Sequence, residues 1–105
     1  MPIWATAPVS ESPSLELCRW RILETDKSER HFVGYNLTDC EGRVSSAIER
    51  FDRENLTGRT RSGRVYRLIG APGFDADATY VWHGWCAING VKRWDDVTEK
   101  SLAGQ

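Results

Sequence analysis

The sequence predicts an α+β fold: a small curled antiparallel sheet, or SH3-like half-barrel, of four to five strands, with one C-terminal amphipathic helix packed on it. Three observations predict this. Short runs of alternating apolar and polar residues recur between Leu17 and Ile69, the pattern of half-buried strands. Polar and glycine-containing clusters separate those runs, as hairpin turns require. A single apolar stripe at helical spacing follows, between an Asp-rich start and an Asn-Gly stop, which are helix-boundary signals.

The elements follow in order. Residues 1–14, with Pro8, Pro13 and several Ser and no periodicity, read as a flexible lead-in in which Trp4 is isolated. The domain proper spans 15–98. From Leu17, the residues Cys18, Trp20 and Ile22 alternate with Arg19 and Arg21, giving a first strand with a buried parity. Asp26-Lys27-Ser28 turns the chain into a second strand, His31 to Tyr35, rich in aromatic and β-branched residues. A turn from Asp39 to Gly42 leads to Val44–Phe51. Residues 44–53 admit two readings, a strand with a bulge near Glu49 or a short helix over Ser46–Arg53.

The hairpin over residues 57–69 turns on Ser62-Gly63. A two-residue turn there sets Arg61 opposite Arg64 and Arg59 opposite Tyr66. Arg59, Arg61, Arg64 and Tyr66 then share one face, with Thr60, Val65 and Arg67 on the other. A helix over about 75–89 has Asp75 or Asp77 as its cap and Ala78, Val81, Trp82, Trp85 and Ile88 as its stripe. Asn89-Gly90 stops it. Val91, Trp94 and Val97 form a last strand or packed arm, and the tail from about Glu99, residues 99–105, frays.

Composition narrows the function. At 105 residues the chain is one domain with room for a real core. No apolar stretch approaches the roughly 18 residues that span a bilayer, and the N-terminus lacks the basic and apolar regions of a signal peptide. The expectation is a soluble cytoplasmic protein without membrane contact. Its three cysteines, an odd number without a CxxC pair, make no disulfide framework. Net charge is −1, but residues 42–70 carry 7 Arg against 3 acids. Five tryptophans, Trp4, Trp20, Trp82, Trp85 and Trp94, suit both a core and a recognition surface.

Three functional readings come from these residues. The leading one is a non-catalytic binding or accessory module that contacts another protein or a second copy of itself. Trp4, Trp94 and Tyr80, off the predicted buried stripes, are the side chains expected at its surface. The second is nucleic-acid binding by the basic hairpin, with Arg59, Arg61, Arg64 and Arg67 for phosphate and Tyr66 for base stacking. The third is a zinc or thiol site at His83 and Cys86, neighbours at i and i+3 on a helix surface. The spacing of Cys18 and Cys40 gives that site little support. No catalytic motif, phosphate loop or cofactor signature is present, so no enzyme activity and no cofactor are expected.

Overall fold

The longest strand organises everything else. The computed structural model describes residues 13–104; Trp4 and the rest of the lead-in up to Ser12 lie outside them. β1 (Ser14–Thr25) pairs on one side with β2 (Arg30–Asn36), antiparallel. On its other side, its first half pairs with β6 (Val65–Leu68) in parallel and its second half with β7 (Trp94–Asp96) antiparallel. The full order is β3 (Glu41–Val44), β2, β1, β6, β5 (Thr57–Thr60), β4 (Ile48–Asp52), with β7 beside β1. Helix α1 (Ala76–Asn89) packs on this sheet, and α2 (Thr98–Leu102) follows β7.

The fold class is therefore α+β with a helix on a curled sheet, as the sequence predicts, but the sheet is mixed and has seven strands among the described residues. The curl follows from connectivity. β3 and β4 lie at opposite edges of the six-strand path, yet only Ser45, Ser46 and Ala47 join them. Such a link spans at most about 14 Å, so the sheet must bend until its edges approach. The link is tied down on both sides, with Ser45 N–H donating to the Phe32 carbonyl (2.9 Å) and Arg61 N–H to the Ala47 carbonyl (2.8 Å). Among the described residues no ladder joins β3 to β4, so the sheet stays open.

Residues 44–53 are strand and not helix, divided by that link, and the bulge falls at Glu49, between Ile48 and Arg50. A second bulge lies in β1 between Cys18 and Arg21, where Arg19 takes φ 46°. It corrects the simple alternation of the first strand. Leu15 and Leu17 share the core with Trp20 and Ile22, while Cys18 is only half-buried. One inserted residue switches the parity facing the core.

Two apolar clusters result. Leu15, Leu17, Trp20, Ile22, Phe32, Tyr66, Leu68 and Val97 fill the curl, where the Trp20 indole donates to the Gly70 carbonyl at 3.1 Å. Leu23, Val33, Ala78, Trp82, Cys86 and Val91 pack α1 against the sheet. Asp75 caps α1, its carboxylate accepting from Ala78 N–H at 2.9 Å and from the Arg19 guanidinium at 3.0 Å. Asp77 does not cap; it accepts from Gly42 N–H at 2.6 Å. Gly42 lets this happen, because a Cβ there would meet the Ala78 backbone at 2.5 Å. Gly90, with φ 70°, ends the helix as expected.

Beyond β7, the fraying expected from about Glu99 gives way to the turn of α2. It is held by Thr98, whose hydroxyl accepts from Ile22 N–H at 2.9 Å and donates to Asp96 at 2.6 Å.

Candidate functional site

The basic hairpin has a different register from the one the two-residue turn implies. Thr60 N–H donates to the Arg64 carbonyl (3.0 Å) and Gly63 N–H to the Thr60 carbonyl (2.8 Å), so Arg61, Ser62 and Gly63 form a three-residue turn. Gly63 supplies the left-handed residue at φ 91° that such a turn needs. Arg59 then faces Val65 and Gly58 faces Tyr66. One extra turn residue sends alternate side chains of β6 to the opposite face. Arg64 and Tyr66 are buried, at 3% and 1% exposure.

The predicted cluster is thus divided. Arg59 and Arg67 point to solvent, Arg61 reaches across to an ion pair with Glu29, and Arg64 and Tyr66 enter the core. Tyr66 packs on Phe32 at 5.7 Å between centroids and accepts a hydrogen bond from Arg43 at 3.3 Å, so no base can stack on it. Register also reveals Arg50, which stands directly opposite Arg59 on the exposed side.

The His83 and Cys86 pair is also separated. Cys86 is buried in the helix–sheet core, and burial pushes its thiol up to about 11, away from nucleophilic or metal-binding character. His83 is exposed and meets the Trp94 ring at 5.4 Å. No group of three or more His, Cys, Asp or Glu comes together among the described residues.

Two other features emerge from the geometry. The first is the outward face of α1. Residues 78–91 contain no Asp, Glu, Lys or Arg. Tyr80 is 76% and Ile88 71% exposed, with Gly84 between them and Ala87 beside them. Ile88 corrects the predicted stripe. It lies about 120° around the helix from Trp82, and Cys86 takes the buried place instead. Gly84 has open space around the position of a Cβ. Nothing among the described residues therefore requires a glycine that costs roughly 1 kcal/mol in a helix interior. Trp94 borders this region at 37% exposure, edge-on to the buried Trp82.

The second feature is a cleft of about 270 Å³ between the β1–β2 turn, the β3–β4 link and α1, lined by Lys27, Glu29, His31, Ser46, Arg61 and Trp85 among others. His31 is 2% exposed. Its ring lies 4.6 Å from Trp85, which stacks on Trp82 at 5.3 Å. Its Nδ1 is 2.8 Å from the Ser45 carbonyl. A carbonyl only accepts, so Nδ1 carries the proton and Nε2 presents a lone pair. Burial lowers the pKa of this histidine, outweighing the Ser45 contact and Glu29, and keeps the ring neutral. Among the described residues Nε2 has no hydrogen-bond partner. A buried polar atom left in this state costs about 1–3 kcal/mol. Sequence reading places His31 in β2 but has no signal for its neighbours, which come from the β3–β4 link and α1.

These features define a small β-rich domain with an uncharged helix face and a histidine-lined cleft. No protein-family model, no curated protein and no solved structure matches the chain. No helix among the described residues is long and apolar enough to cross a membrane.

Proposed function

We propose that this domain is a non-catalytic protein-binding module, that its contact surface is the outward face of α1, and that the partner is a second copy of the chain. One observation carries the reading: the two most exposed large apolar side chains among the described residues, Tyr80 and Ile88, lie on one face with no charged residue between them. Exposed aromatic and aliphatic side chains that no charge interrupts are what interface cores use.

The spacing favours self-association. Tyr80 and Ile88 are each four residues from Gly84, roughly 6 Å along the axis. Two antiparallel copies of α1 crossing at Gly84 bring Tyr80 of each against Ile88 of the other. The glycine lets the backbones approach closely, and a two-fold contact of this kind closes on itself.

Light scattering across a concentration series tests this, with Gly84→Ala as the discriminating variant. The wild type is expected to pass from monomer to dimer. Gly84→Ala raises monomer stability by about 1 kcal/mol and weakens the dimer. A monomer at every concentration, or a dimer that Gly84→Ala leaves unchanged, rejects the reading.

A second reading rests on a separate observation. Arg50 stands opposite Arg59, and Arg67 shares their exposed side; none of the three forms an ion pair among the described residues. Like charges directly opposite destabilise a sheet, and phosphate would relieve them. Nucleic-acid binding through this face predicts an oligonucleotide shift at low salt that weakens as salt rises. Its absence removes this reading and leaves the first untouched.

A further inference from the structure

We propose that the cleft at His31 is a binding site for a small aromatic monoanion that carries a ring O–H or N–H donor. The proposal is independent of the α1 interface and rests on four features of the cleft.

The first is the histidine. His31 is buried and lines the cleft, and its Nε2 lone pair lacks a donor. Because Nδ1 is committed to the Ser45 carbonyl, the missing group must be a donor and not an acceptor. The second is the aromatic wall. Trp85 is half-buried, 4.6 Å from the His31 ring, and braced from behind by Trp82 at an interplanar angle of 12°. A flat indole held this way offers a stacking surface.

The third is charge. Lys27 from the β1–β2 turn and Arg61 from the β5–β6 turn line the cleft together with Glu29, and Glu29 is already paired with Arg61. These three leave one net positive charge. The Lys27 ammonium donates to the Asn89 carbonyl at 2.7 Å, and a Lys has three donors, so others remain for an anion. α1 brings no charge to the cleft, only Trp85 and Asn89. The fourth is size. A volume of about 270 Å³ lies below the ~300–1,000 Å³ of sites for drug-sized molecules, which suits a single substituted ring.

The donor on the ligand bonds His31 Nε2, the ring lies against Trp85, and the acid group meets Lys27 and Arg61. Nε2 is covered in the absence of ligand, so the groups around it must shift on binding, and Trp85, 4.6 Å from the His31 ring, reports the change by fluorescence.

The test uses 4-hydroxybenzoate and benzoate as probes of the intact chain, followed by tryptophan fluorescence and by the ¹⁵N resonances of the His31 ring. 4-Hydroxybenzoate is expected to bind about tenfold more tightly than benzoate and to move the Nε2 resonance. Lys27→Gln is expected to weaken both probes. His31→Phe is expected to abolish the difference between them. If the His31 variant does not fold, the comparison of the two probes on the wild type still decides. No binding of either probe at millimolar concentration overturns the proposal. Equal affinity for the two probes also overturns it.

Discussion

The outward face of α1 and the outward face of the β5–β6 hairpin meet the same solvent with opposite chemistry. The helix presents Tyr80, Gly84 and Ile88 with no charged side chain along residues 78–91, whereas the hairpin presents Arg59 and Arg67 with Arg50 alongside. They also differ in how their faces are set. The faces of a helix come from its internal period and do not depend on where it ends. Within a strand, parity is equally local. Which parity of one strand shares a face with which parity of the next depends on the turn between them. In this hairpin one additional turn residue, Arg61, moves Arg64 and Tyr66 from the surface to the core. The chemistry of a strand face thus hangs on a turn, and that of a helix face does not.

The largest effect is expected on the helix. Trp82, at 1% exposure, anchors α1 to the sheet. Trp82→Ala is expected to destabilise the domain by about 3–5 kcal/mol, read from urea unfolding at a concentration where the chain is monomeric, while Tyr80→Ala on the outward face stays within ~0.5 kcal/mol there. Equal losses would mean that the two faces of α1 are not distinct.

The hairpin supplies the next largest effect. Arg64→Ala removes a buried guanidinium and its long stem, and is expected to cost ~2 kcal/mol or more. Arg59→Ala, on the solvent side, is expected to change stability by no more than about 0.5 kcal/mol. The two-residue register would make these variants behave alike, so the same unfolding measurement separates the registers.

The smallest effect concerns the cleft. The pKa of folded His31 lies below its ordinary value of 6.5, so the unfolded chain takes up the proton first as pH falls. Stability linked to this group is fully present above about pH 6.5 and declines as pH drops from there toward the folded-state value. Urea midpoints at pH 7.5 and 5.5 are expected to show this loss. His31→Phe is expected to flatten it. An unchanged slope in that variant would assign the loss to other groups.

Much of the architecture was legible locally. The Asp75 cap and the Asn89-Gly90 stop bound α1 because capping uses the chain's own nearest residues. The bulge near Glu49 was legible from a broken parity, and Tyr80 from its place opposite the buried stripe. The bulge at Arg19 was not, because apolar residues continue on both sides of it. The His31 cleft was not legible either. Its character comes from the Ser45 carbonyl, the Trp85 ring and the charged groups of two turns, none of them within a turn's length of His31 except Glu29 and Lys27.

Propensity, capping and side-chain period act over a few residues, and they set the α+β class, the helix and the short alternating strands. Long-range packing places β6 parallel to β1, turns Arg64 and Tyr66 inward, and leaves His31 Nε2 without a donor among the described residues. The reason is common to all three. Strand partners and burial are set by distant segments competing for one core, and no local pattern records which segments meet.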